Sequence, residues 1–394
     1  MPLKPLLYRE IQFEHGRWGS LVETAFEGQS LPAEDQLFIL MQTGLYLTTT
    51  RGVGAAEARI CYERAEPLCH SLNDARLLYV ALMGQWRYIL MTDKQSAAMQ
   101  IAERVHTLTQ QQNDATLTIG AYRALSCTLL LLGDFESGLQ YAMRAVQIWR
   151  SGGVQSYAEE HYTPIVNCMI YAAMCEWHLG EIVSCHTMMG EGMSLAKRLN
   201  DKNSLALALQ NTATAAINER DPGKVKRLAS ELIELSTRHN FSFWLTVGTM
   251  FRGWACSASG ETVEGITWIE QGIKGFRSSG TVTGLPYFLS LKAEALYLAE
   301  RAPEALDAIN EAQSLAERYE QRYVFSRLHR LRAVFLAAIG ADEAQIEASF
   351  CEALRIAKEQ KSVSLEKRAE ATYAEYRRQK ASASEGHGFR LPLC

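Results

Sequence analysis

The chain has 394 residues, 47% hydrophobic and 21% charged, enough for two or three ordinary domains or for one array that grows by repetition. Nine prolines in that length, with Ala, Leu, Glu and Arg recurring throughout, favour long helices and disfavour a sheet-rich fold. The formal net charge of −4 excludes a global attraction to nucleic acid or anionic lipid.

In chain order, residues 1–33 fit the repeat poorly, and a register begins at Glu34. Turn residues follow apolar helical runs at Asp93, Gly133, Gly180, Arg220, Gly260, Arg301 and Gly340, with steps of 40, 47, 40, 40, 41 and 39. A second series lies half a period away: Asn73-Asp74, Asn113-Asp114, Asn200-Asp201, Asn240, Gly280, Glu320 and Gln360. Two interleaved series at one period predict a helix-turn-helix unit with helices of roughly 16–19 residues. Asn and Asp suit these junctions because their side chains cap the free amides of the next helix, and Gly because it accepts the left-handed conformation that ends one.

The long step from 133 to 180 contains Ser151-Gly152-Gly153-Val154-Gln155-Ser156, which predicts an insertion near 151–161. A second extended connection is expected at 278–286. Between junctions the apolar spacing is helical, as in Trp244, Val247, Phe251, Trp254 and Ala258, or Leu306, Ile309, Ala312 and Leu315. One helix pair cannot bury both of its stripes, so stacking is what stabilises the array. The expectation is an all-α, right-handed superhelical solenoid of about eight TPR-like helix pairs over 34–379, with a flexible Ala/Ser/Gly tail at 380–394.

Nine scattered cysteines, most in apolar helical surroundings such as Leu125-Ser126-Cys127-Thr128-Leu129, read as reduced core thiols. No signal-peptide pattern opens the chain, and the apolar runs Thr128–Leu132 and Ala333–Ile339 fall short of a membrane span, so a cytoplasmic location without membrane contact is expected.

Particular motifs narrow the repeat type. Phe243-Trp244-Leu245 with Phe251-Arg252-Gly253-Trp254-Ala255, then Glu264-Gly265-Ile266, Leu285-Pro286-Tyr287-Phe288-Leu289, Leu328-His329-Arg330-Leu331 and the run Ala348 to Leu354 carry a resemblance. They resemble the C-terminal repeat region of bacterial signalling proteins in which an adenylate/guanylate cyclase domain and an ATPase domain precede tetratricopeptide-like repeats. They are similar also to the repeats of maltose-type (LuxR-family) transcription activators. The resemblance covers roughly 35–379 and implies a sensing or regulatory role; it transfers no catalytic residue, because the catalytic domains of those proteins lie upstream of their repeats.

Sites of chemistry are sparse. Asp221-Pro222-Gly223-Lys224 approaches a phosphate loop, but Asn218 replaces its first Gly and Val225 its hydroxyl residue, so a turn and helix start are expected. Cys175, His178, Cys185 and His186 cluster, yet adjacent Cys185 and His186 point apart, which is not zinc spacing; no metal or cofactor is expected. Ser194-Leu195-Ala196-Lys197 and Ser364-Leu365-Glu366-Lys367 match a serine-lysine pattern without its companion motifs. The basic clusters at 224–227, 327–332 and 377–380 have acidic residues nearby and read as solvated helix faces, so no nucleic-acid partner is expected.

Aromatic and arginine side chains on first helices are better candidates, since first helices line the concave surface of such arrays and these residue types anchor recognition. Trp86, Arg87, Tyr122, Arg123, Trp244, Arg252, Trp254, Tyr287 and His329 form this set, with inter-repeat packing as the competing role and Arg252 and His329 as the least core-like. Three functional readings follow: a module binding a protein or peptide in its groove, a small-ligand sensor, and an enzyme. The last requires convergent polar groups that spacing does not reveal.

Overall fold

In the computed structural model, residues 31–152, 163–382 and 391 are described. Short local signals start and stop each helix. Asp74, Asp114, Asp201 and Asp221 each place a carboxylate oxygen on amides of the following turn, at 2.9 Å on Leu77, 2.8 Å on Thr116, 3.0 Å on Ser204 and 2.8 Å on Lys224. Asp221-Pro222-Gly223-Lys224 is therefore a capped helix start. The opposite ends close with left-handed residues, among them Asn73 (φ 51°), Asn113 (51°), Gly133 (81°), Gly180 (91°) and Asn240 (54°). Asn pays least among chiral residues for this conformation, and Gly nothing.

The helices so delimited form eight consecutive pairs: α1 (Ala33–Arg51) and α2 (Ala56–Leu72), α3 (Ala75–Thr92) and α4 (Gln95–Gln112), α5 (Ala115–Leu132) and α6 (Phe135–Gly152), α7 (Pro164–Leu179) and α8 (Ile182–Arg198). They continue with α9 (Lys202–Asn218) and α10 (Pro222–His239), α11 (Ser242–Ala258) and α12 (Thr262–Ser278), α13 (Leu285–Leu298) and α14 (Ala302–Arg318). A 3-10 turn (Arg322–Val324) then leads to α15 (Phe325–Ala338) and α16 (Glu343–Glu359), and a single helix, α17 (Val363–Ser382), ends the array. No strand occurs among the described residues.

First helices are buried almost all round and second helices along one stripe. On α7 every residue from Pro164 to His178 is buried, whereas α10 buries Val225, Leu228, Ala229, Leu232 and Ser236 at helical spacing. Phe251, Phe335 and Phe350 have no exposed surface, each contributing roughly 1.5–3 kcal/mol by burial. Glycines let α11 and α12 approach closely: a Cβ on Gly253 would lie 2.6 Å from the Gly265 carbonyl oxygen.

Two sequence expectations change. At α5 the chain does contain a helix, 18 residues of mean hydropathy 1.4, long and apolar enough to cross a membrane; 72% of it is buried inside the fold, as a central repeat helix must be. The C-terminal helix runs to Ser382, and Leu391 is buried with its amide and carbonyl bonded to the Tyr297 hydroxyl, where a flexible tail was expected. The N-terminal segment through residue 30, most of the insertion (153–162) and the rest of the tail lie outside the described residues. Among the cysteines, seven are buried free thiols and Cys351 is an exposed one; Cys394 lies outside the described residues.

The superhelix closes on itself. Val282 N donates to Met91 O at 2.8 Å and Thr283 Oγ1 to Leu90 O at 2.6 Å, while Gln95 Nε2 donates to Thr283 Oγ1 at 3.0 Å. Further along the same seam Ser96 N donates to Glu320 Oε2 at 2.9 Å, Lys361 pairs with Glu136, and Ser364 Oγ donates to Trp177 O. Turns of the C-terminal repeats thus rest on turns of the N-terminal ones, and the first helices enclose the interior.

Candidate functional site: the interior of the superhelix

Six successive first helices, α3 to α13, turn one face onto a cavity of about 180 Å³. Trp86 and Arg87 come from α3, Arg123 and Cys127 from α5, Asn167 and Tyr171 from α7. Gln210, Asn211 and Thr214 follow from α9, Phe243 and Trp244 from α11, Tyr287 and Phe288 from α13, and Tyr323 from the 3-10 turn. Aromatic walls with a few polar groups are the composition of a ligand site.

The polar groups are held in place. Arg123 lies 5.1 Å over the Trp86 ring, whose Nε1 donates to Thr128 Oγ1 at 3.0 Å. Asn211 Nδ2 donates to its own helix at Leu207 O, 2.9 Å away. Burial pushes the Cys127 thiol up to about 11, so it stands as a neutral, unreactive group. Burial likewise pushes His178 down to about 3; its ring stacks on Phe135 at 3.8 Å and its Nδ1 lies 2.9 Å from Ser362 Oγ, across the seam. The interior can therefore bind apolar and aromatic groups and offer guanidinium and amide donors.

Two helical turns further along α13, and just past the end of α9, the stripe continues into a charged cluster. Glu294, with no exposed side chain, accepts from Arg220 Nη1 at 2.6 Å, Arg220 Nη2 at 3.1 Å, Arg327 Nη2 at 2.7 Å and Trp254 Nε1 at 2.9 Å. Arg327 also donates to Asn218 Oδ1 and Ser290 Oγ and lies 5.1 Å over the Tyr287 ring. Burial alone raises the Glu294 pKa, but Arg220 and Arg327 more than offset it and hold the carboxyl far below the usual range.

Of the candidate residues, Trp86, Arg87, Arg123, Trp244 and Tyr287 meet at the cavity, and Trp254 joins the cluster beyond it. Tyr122, Arg252 and His329 do not. Tyr122 packs with His106 and Tyr141, Arg252 lies 4.8 Å over Trp268 of α12, and His329 opens on an outer groove beside Arg355 and Glu352. The reason is rotation of about 100° per residue: Tyr122 is one position from inward Arg123, and His329 two from inward Arg327.

The basic run at 327–332 corrects an expectation. Arg327 and Arg330 are 4% and 2% exposed, because their spacing of three puts both on the inward face of α15; Arg332 reaches outward, to Asn310, as His329 does. Cys175, His178, Cys185 and His186 diverge, His186 pairing with Glu219 at 2.8 Å, and no group of metal-ligating side chains forms among the described residues. Sequence reasoning passed over Glu294 and the inward amides of α7 and α9. The available signal was a lone carboxylate in the apolar run Ala293-Glu294-Ala295-Leu296.

No family model matches the chain. Over 197 residues, half of this chain, it is 25% identical to an uncharacterized protein of Rhizobium meliloti (strain 1021), and the match spans 19% of that protein. Among solved structures it is similar to a Rap protein complexed with Competence and Sporulation Factor, at a TM-score of 0.56 and 11% identity over 88% of this chain and 97% of that one. NprR in complex with its cognate peptide NprX gives 0.56 and 12% over 89% and 95%. The Rap conjugation gene regulator of plasmid pLS20, in complex with the Phr* peptide, gives 0.52 and 9% over 90% and 98%. Helix pairs, closure and these likenesses together define an all-α, superhelical solenoid of the TPR-like class.

Proposed function

We propose that this chain is a non-catalytic regulatory module that binds a protein or peptide segment through the interior of its superhelix. The observation that carries this is the convergence of aromatic and arginine side chains from six consecutive first helices on one cavity. Binding of peptides by two superhelices of the same fold, NprR and the pLS20 Rap regulator, supports it. The motifs between 240 and 360 support a place in bacterial signal transduction, of the cyclase–ATPase or maltose-type activator kind, at a cytoplasmic location.

Size favours a second reading. A space of about 180 Å³ takes one or two side chains or a small effector, not an extended segment, unless the seam parts. A small-ligand sensor is that alternative.

One experiment separates them. The tagged chain is used for capture from its native host, beside Gln210→Trp, which fills the cavity from a half-buried position. A polypeptide enriched by the wild type and lost with the variant supports the first reading, and a small molecule released on denaturation and lost with the variant supports the second. Equal recovery by both proteins rejects the cavity as the site.

A further inference from the structure

Four guanidinium groups stand where the end of α9 meets α13, α15 and α17: Arg327 and Arg330, buried, and Arg220 and Arg368, half-buried. Glu294 is the carboxylate bonded to Arg220 and Arg327 in this group. Two of the four are committed to Glu294 by hydrogen bonds. The other two are not. Arg330, 2% exposed, gives Nη1 to Thr372 Oγ1 at 3.3 Å, and its buried Nη2 has no partner among the described residues. Arg368, one turn before Thr372 on α17, has a buried Nη1 with no partner among the described residues.

Four positive groups against one negative is an expensive interior. A guanidinium stays protonated even when desolvated, so the penalty is not relieved by losing a proton. Each unmet N–H adds the cost of a buried unsatisfied donor. Guanidinium forks match the paired oxygens of a phosphate or carboxylate, which supply both acceptors and charge.

We infer that Arg330 of α15 and Arg368 of α17, which meet around Thr372, form a binding site for an oxyanion, a phosphate or carboxylate group. Arg220 and Arg327, already neutralised in part by Glu294, hold the wall. The inference does not depend on what fills the cavity, although the stripe Tyr287, Ser290, Glu294 on α13 would let one ligand reach both.

The test is the thermal midpoint of the full chain in sodium phosphate, sodium succinate or sodium chloride at equal ionic strength. At a hundredfold excess over Kd, the favoured oxyanion raises the midpoint about 3 °C above chloride, and the comparison of the two salts tells phosphate from carboxylate. In Arg330→Met/Arg368→Met the difference disappears. Neither oxyanion exceeding chloride, or the same rise in the double variant, overturns the inference. Should the double variant not fold, Arg330→Lys decides: it keeps the charge without the fork, and the rise is expected to fall at least by half. An undiminished rise in that variant counts against the site.

Discussion

Arg327 Nη2 stands 2.7 Å from Glu294 Oε1, joining α15 to α13 across 33 residues with both side chains out of solvent. This pair, with Arg220 on the far oxygen, ties three repeats through one carboxylate. Removing one partner of such a pair leaves the others charged and unmet. Glu294→Gln is therefore expected to lower unfolding free energy by about 3–5 kcal/mol in denaturant titration, with partial recovery in Glu294→Gln/Arg327→Met. Additive losses in the double variant would show that the two residues are not coupled.

Because the Glu294 pKa is depressed in the folded chain, its stabilisation is complete above the unfolded carboxyl value near 4.3 and is lost as pH falls below it. Wild-type stability should drop steeply below about pH 4, and the Glu294→Gln curve should run flatter there. Parallel curves from pH 5 to 3 would contradict this assignment.

His178 acts in a different window. Its folded pKa is pushed down to about 3, so the native ring stays neutral while the unfolded one takes a proton below about 6.5. Stability is full above pH 6.5 and declines as pH falls toward the folded value, by up to about 1.4 kcal/mol per pH unit. His178→Phe, keeping the stack on Phe135, should remove about 2 kcal/mol of the difference between pH 6.5 and 5. Denaturant midpoints at those two pH values measure it.

Glycines at helix contacts should respond oppositely to glycines in open space. Gly253→Ala forces a methyl to 2.6 Å from the Gly265 carbonyl oxygen and 2.9 Å from Ile269 N, both backbone, and should cost about 1–3 kcal/mol. Gly190→Ala, on α8 with nothing within 4 Å, should stabilise by about 0.5–1 kcal/mol. Thermal melts of the two variants rank them against wild type.

The seam gives a local readout. Thr283→Val removes the hydroxyl that donates to Leu90 O and accepts from Gln95 Nε2, an expected loss of about 1–2 kcal/mol. The Val282 amide, bonded to Met91 O, should then exchange with solvent faster than amides inside α13. Unchanged protection at Val282 would mean that the seam does not depend on this residue.

What the sequence by itself determined is what neighbours along the chain decide. Asn73-Asp74, Asn113-Asp114 and Asn200-Asp201 end one helix in the left-handed region and cap the next within two residues, so the 40-residue register can be read directly. Helical periodicity also marks which face is apolar. Only the tertiary structure decided which residue of an inward helix reaches the interior, because about 100° of rotation separates Tyr122 from Arg123 and turns His329 from Arg327. It alone brought Ser364 to Trp177 across 187 residues and Arg220 to Glu294 across 74, since the curvature that closes a superhelix accumulates from small rotations at every repeat contact and appears in no single stretch of sequence.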